Sequence, residues 1–182
     1  MVAEGKKAPN IKLPDADGEI VDLSKLKGSP VVVYFYPKDD TSGCTKEAID
    51  FTAHMDEFKA AGAIVLGVSP DSEKSHKKFT DKHALAVRLL ADTEKKAVEA
   101  YEVWVEKSMY GKKYMGVERA TFLIDKSGKV SKIWRKVKVP GHVAEVLAAT
   151  KEIQCLKTSL FACEFGNPQF DWISSNPTRD VG

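Results

Sequence analysis

Val31-Val32-Val33-Tyr34-Phe35-Tyr36, closed by Pro37 and followed by Lys38-Asp39-Asp40-Thr41-Ser42-Gly43-Cys44, is the stretch on which the reading of this chain turns. An unbroken run of β-branched and aromatic residues, with no polar alternation, predicts a strand buried on both faces. Proline lacks the N–H that a ladder needs, so the strand ends there. Beyond it, Cys44, Ala48, Phe51, Met55 and Phe58 recur at spacings of four and three. That period predicts a helix over 45–61 with one apolar face, ended by Gly62. A buried strand running through a short polar loop into a helix is the repeating unit of parallel sheets.

Working outward, 11–13 and 20–23 flank the turn-rich Pro14-Asp15-Ala16-Asp17-Gly18 and predict an opening hairpin. Downstream, 63–68 reads as a second buried strand and 72–83 as a helix capped by Ser72. A short strand at 87–90 and a helical stretch at 94–101 come next. Residues 119–124 and 130–134 predict a hairpin about Asp125-Lys126-Ser127-Gly128. The last helix, 143–153, places Val143, Val146, Leu147 and Ile153 on its apolar face. The alternation predicts an α/β fold: a central, mostly parallel sheet with an antiparallel edge and helices on both faces, a sandwich of the thioredoxin-like kind. Composition changes near Cys155. Residues 154–182 have no clear period and hold Asn167-Pro168 and Asn176-Pro177. The expected organisation is one domain, 1–153, with 154–182 a C-terminal extension, a flexible arm whose Phe161, Phe165, Phe170 and Trp172 are apolar enough to dock.

The 182 residues suffice for one substantial core, and 28 basic against 26 acidic side chains leave a formal charge of +2. That balance gives no reason to expect a nucleic acid or a membrane surface as partner. The opening Met1-Val2-Ala3-Glu4-Gly5-Lys6-Lys7 lacks the apolar core of a secretory signal. No stretch approaches the roughly 20 apolar residues of a membrane span. Three cysteines, an odd count, without such a signal point to a reducing, cytoplasmic setting, in which a reactive thiol is the question rather than a disulfide framework. Cys-x-x-Cys is absent, which disfavours a dithiol exchanger. His54, His76, His83 and His142 show no ligand spacing, so no metal is expected, and no Gly-rich loop points to a phosphate cofactor.

Cys44 falls in the first turn of its helix. There the unpaired backbone N–H groups and the positive end of the dipole favour a thiolate, the nucleophilic form. Thr41, three residues earlier, can aim its hydroxyl at the sulfur or at a bound oxygen, and Pro37 can shield the site from water. Against this, free cysteine usually behaves as a small buried hydrophobe, and Cys44 lies on the apolar stripe. Local sequence leaves the reactive and structural roles evenly open.

Pro37-x-x-x-Thr41-x-x-Cys44 resembles the active-site signature of the peroxiredoxins. The longer string from Tyr34 through Thr45 resembles their bacterioferritin comigratory subgroup. Gly67-Val68-Ser69-Pro70-Asp71-Ser72, the stretch 103–112 and Arg119-Ala120-Thr121-Phe122-Leu123-Ile124-Asp125 follow in the same order, so the resemblance spans about residues 3–153. It implies a thiol-dependent peroxidase. Cys44 would be the peroxide-attacking thiol, Thr41 a hydrogen-bonding partner of substrate and thiolate, Pro37 the shield and Arg119 the active-site arginine. A planar, permanently charged guanidinium suits that last role, since it can hold a thiolate and polarise a peroxide oxygen together. Without the resemblance, Arg119 reads as a surface ion pair at a strand end. The implied partners are a small peroxide and an external reductant such as thioredoxin or glutaredoxin with glutathione, acting on a monomer.

The pattern departs from the subgroup at the positions of its resolving cysteine, which here are Ile49 and Thr80. Either Cys44 works alone and an outside thiol restores it, or Cys155 or Cys163 resolves it. A non-catalytic binding protein on the same fold is the alternative, favoured only by the extension.

Overall fold

The computed structural model describes residues 1–109 and 111–162, and the side chains of all of these except 109, 112 and 155–162. The elements run β1 (Lys12–Pro14), β2 (Ile20–Asp22), β3 (Val31–Phe35), α1 (Ser42–Ala53), α2 (Met55–Ala60), β4 (Ile64–Ser69), α3 (Glu73–His83) and β5 (Arg88–Ala91). Then come α4 (Lys96–Ala100), β6 (Trp104–Met109), β7 (Lys112–Val117), β8 (Ala120–Ile124), β9 (Val130–Trp134) and α5 (His142–Ala162).

The predicted buried strand is the centre of a five-stranded sheet ordered β5-β4-β3-β8-β9. Every residue of β3 is buried. Val31, Val33 and Phe35 enter a core shared with β1, β2, α4, Val103 and Val117. Val32, Tyr34 and the following Tyr36 enter a second core under α1, α2, α3 and α5. Helices therefore cover both faces. As expected, the sheet is mostly parallel, with β8 the one reversed strand: β3 pairs parallel with β4, and β4 with β5, while β3–β8 and β8–β9 are antiparallel. The late hairpin adds the antiparallel edge that the sequence predicts, laying β8 against β3.

Three differences from the sequence expectation have local causes. The helix expected over 45–61 begins at Ser42 and breaks at His54 (φ −97°, ψ 6°), whose Nδ1 lies 2.9 Å from the Asp50 carbonyl oxygen. The apolar stripe survives the break, because Cys44, Ala48, Phe51, Met55 and Phe58 are all buried. The last helix continues past 153 to Ala162, so Cys155 is helical, while Cys163 and the rest of the expected arm lie outside the described residues. The hairpin β6–β7, paired from Trp104↔Val117 to Met109↔Lys112, has no counterpart in the sequence expectation. Its strands are rich in lysine and largely exposed, which hides the strand signal.

The N-terminal segment spans the sheet. Gly5 N–H donates to the Val130 carbonyl at 2.7 Å, and Val130 N–H donates to the Lys6 carbonyl at 2.8 Å, along the outer side of β9. At the opposite edge Asp15 bridges to Leu90 of β5, and Arg88 Nε donates to Asp15 Oδ2 at 2.6 Å. Among the described residues no helix is long and apolar enough to cross a membrane.

Candidate active site

Chain direction places the site at the carboxyl end of β3, where ligands bind in open α/β sheets. Tyr36 N–H closes the strand on the Val68 carbonyl at 3.1 Å, and Pro37 turns the chain out to the surface. Asp40 takes a left-handed conformation (φ 55°), which an aspartate tolerates better than most side chains. Thr41 is the helix cap, extended at φ −88° and ψ 151°, and its carbonyl accepts from Thr45 N–H at 2.8 Å. Cys44 is the third residue of α1, inside the first turn, with 2% of its surface exposed.

Arg119 immediately precedes β8, and the antiparallel β3–β8 pairing, Phe35↔Ala120, carries it over α1. Its Nη2 donates to Cys44 Sγ at 3.1 Å. Its Nη1 pairs with Glu47 Oε2. A Cβ on Gly43 would stand 3.3 Å from that same Nη2, so the glycine leaves the guanidinium its room. Burial works against the Arg119 charge, but the Glu47 and Cys44 charges outweigh it and hold the guanidinium above its ordinary value.

Sequence reasoning does not single out Glu47. It is completely buried, and its Oε1 has no hydrogen-bond partner among the described residues. Burial pushes its carboxyl up to about 7 from 4.5, against the opposing pull of Arg119. A signal is present: Glu47 stands three residues after Cys44, and a glutamate inside an apolar stripe needs a buried partner.

The other two expected residues make no hydrogen bond to the sulfur. The Thr41 hydroxyl is exposed and donates to the Lys38 carbonyl at 3.2 Å. Pro37 lies exposed at the start of the loop. Cys44 and Arg119 are thus in contact, while Thr41 and Pro37 shape the loop that leads to them.

That loop is held from below by a second polar cluster. Asp39 Oδ1 accepts from Tyr36 Oη at 2.7 Å, and Asp39 Oδ2 accepts from Ser75 Oγ at 2.7 Å. His76 Nδ1 lies 2.9 Å from Asp39 Oδ2. Asp39 N–H donates to Asp71 Oδ2 at 2.8 Å. Burial raises the Asp39 carboxyl, but the contacts with His76, Ser75 and Tyr36 outweigh it and leave it below its ordinary value. Metal-ligand spacing says nothing of His76. Its place three residues before Phe79, on the buried side of α3, is the available signal.

Beside Arg119 opens a groove of about 330 Å³ whose walls include Val105, Lys107, Glu118 and Val137. Burial and the Arg119 charge lower the Lys107 ammonium from its ordinary value. The hairpin thus supplies the rim of the site.

Residues 4–133 match the AhpC/TSA family. Peroxiredoxin Bcp of Bacillus subtilis is 52% identical over 149 residues, 82% of this chain and 95% of that protein. A solved structure of the Xanthomonas campestris bacterioferritin comigratory protein, described for its alkyl peroxide reduction activity, superposes with a TM-score of 0.76 at 46% identity, covering 79% of this chain and 92% of that one. The crystal structure of a Xylella fastidiosa PrxQ mutant superposes at 0.78 with 35% identity, over 88% and 98% of the two chains. Sequence, fold and the cysteine at a helix start agree, and the chain belongs to the AhpC/TSA family, among its peroxiredoxins of the bacterioferritin comigratory group.

Proposed function

We propose that this chain is a thiol-dependent peroxidase in which Cys44 attacks hydrogen peroxide and organic hydroperoxides. The observation that carries the reading is the Arg119 Nη2 contact with Cys44 Sγ, 3.1 Å, at the start of α1. The helix N-terminus and the guanidinium both favour the thiolate. The sulfur attacks one peroxide oxygen: an S–O bond forms and the O–O bond breaks. The sulfur is oxidised by two electrons to a sulfenic acid, and the leaving oxygen takes a proton to depart as water or an alcohol. Arg119 meets negative charge before the attack at the sulfur and during it at the oxygens. Thr41 and Pro37 keep the roles of substrate contact and shield, supported by their spacing from Cys44.

The sulfenic acid is returned to the thiol by an external reductant, thioredoxin or glutaredoxin with glutathione. The unit that does this is residues 1–153, working as a monomer in the cytoplasm, with 154–182 as an extension. Peroxide consumption with each donor system tests the reading. Cys44→Ser should abolish it, and an unchanged rate would end the proposal. After one equivalent of peroxide, a dimedone adduct at Cys44 without a disulfide is expected. A Cys44–Cys155 or Cys44–Cys163 peptide would replace external reduction with resolution inside the protein.

A further inference from the structure

The loop from Pro37 to Thr41 has no regular structure, yet it sets the position of the first turn of α1 and therefore of Cys44. Two kinds of tie hold it to α3. One is exposed: the Asp40 carboxylate meets Lys82 Nζ at 2.5 Å and His83 Nε2 at 2.9 Å. Exposed ion pairs add little fixity, because water and ions compete for both partners. The other is buried. The Asp39 and His76 side chains are 5% and 0% exposed, and the carboxylate takes hydrogen bonds from Tyr36, Ser75 and the imidazole.

The contacts of His76 are one-sided. Its Nε2 is buried and has no hydrogen-bond partner among the described residues. Its Nδ1 faces Asp39, with the Tyr36 hydroxyl 3.4 Å away. A histidine kept only to fill the core gains from satisfying both nitrogens. The polar contacts of this ring all point to the loop. An ionised carboxylate can only accept, so the ring nitrogen that faces Asp39, Nδ1, is the one that bears the N–H and donates.

We propose that the Asp39–His76 pair is the positioning element of the peroxide reaction, fixing the loop so that Cys44 stays against Arg119. The proposal rests on Cys44 being the attacking thiol. Neither side chain touches the sulfur; they act through the backbone between Asp39 and Cys44. Breaking a buried pair leaves an uncompensated group that the loop relieves by moving outward. Displacing the thiol by about 1 Å costs a reaction of this kind on the order of 100-fold.

The experiment uses the full chain and compares His76→Leu, His76→Asn, Asp39→Asn and the exposed control Asp40→Asn. Peroxide oxidation of Cys44 is followed by stopped flow, and alkylation of the same thiol by iodoacetamide is measured in parallel, both at a pH high enough to ionise the thiol in every variant. His76→Leu and Asp39→Asn should oxidise about 10- to 100-fold more slowly, with alkylation unchanged or faster because the loosened loop uncovers the sulfur. His76→Asn keeps an amide N–H where Nδ1 stood and should restore most of the oxidation rate. Asp40→Asn should match the wild type. Wild-type oxidation rates in both His76→Leu and Asp39→Asn would overturn the proposal. So would equal losses in His76→Asn and His76→Leu, or alkylation that falls in step with oxidation. If His76→Leu does not fold, Asp39→Asn against Asp40→Asn decides the same question. A wild type in which peroxide leaves Cys44 unoxidised would instead sink the peroxidase reading.

Discussion

Glu47→Gln should remove a pH dependence of stability that belongs to one buried carboxyl. In the folded protein burial raises Glu47 to about 7, against 4.5 when it is free in water. The folded state therefore holds this proton more tightly than the unfolded state. The contribution of Glu47 to stability is full below pH 4.5 and is lost as the pH rises through about 7. At roughly 1.4 kcal/mol per pH unit, the interval between the two values amounts to about 3 kcal/mol. His142, also buried, works in the opposite sense. Burial lowers it from 6.5 to about 4, so its contribution is full above 6.5 and is lost as the pH falls through 4. The two windows overlap, and the wild-type profile alone will look nearly flat between them. The informative quantity is the difference between variant and wild type. Urea unfolding from pH 4.5 to pH 8 should show the stability of Glu47→Gln minus that of the wild type rising by about 3 kcal/mol. A difference that stays constant would refute the burial argument. A difference that falls would mean that the Arg119 guanidinium, not burial, dominates the carboxyl.

Other substitutions probe the same geometry. Arg119→Lys leaves an ammonium that cannot reach Glu47 and Cys44 together, so kcat/KM for peroxide should fall on the order of 100-fold; a near-normal value would show that the fork is dispensable. His142→Gln should give a variant-minus-wild-type stability that falls by about 3 kcal/mol as the pH rises between the two His142 values, the mirror image of Glu47→Gln, and a flat difference would remove His142 from the balance. Gly67→Ala would bring a Cβ within 2.7 Å of the Tyr34 ring and 2.8 Å of Leu89 Cδ2. The overpacking should cost about 1–3 kcal/mol in denaturant unfolding at neutral pH, and an unchanged midpoint would mean that Tyr34 moves freely.

What is legible in the sequence follows from burial that is continuous or periodic. The strand 31–36, the stripe from Cys44 to Phe58 and the apolar face of 143–153 can be read directly. Where neighbours far along the chain decide the outcome, reading stops. The hairpin at 119–134 is legible as an antiparallel edge, but nothing in it says that its partner is β3. The β6–β7 strands carry Lys107, Lys112 and Lys113, which read as surface until the partner strand is known. Within the site, Cys44 is marked by Pro37 and Thr41 at local spacing. Arg119, 75 residues away, is found by resemblance alone. Glu47, Asp39 and His76 escape because charged and polar residues on a helix or loop ordinarily face water. Their value lies in pairings that one-dimensional spacing does not display.

The N-terminal segment that crosses the sheet carries one more implication. An open sheet presents unpaired N–H and C=O groups along its outermost strands, and such rows recruit strands from other molecules. Here one length of chain covers part of both borders, along β9 near Val130 and beside β5 at Leu90. Protection against edge-to-edge association is therefore concentrated in one piece of backbone near the N-terminus. Trimming its first residues would uncover the border of β9 at Val130, which pairs with Ile124 at the end of β8 opposite Arg119. For this protein, self-association is the expected sign of damage to the first residues, while losses that reach Ala8, Ile11 and Leu13 would strip the core as well.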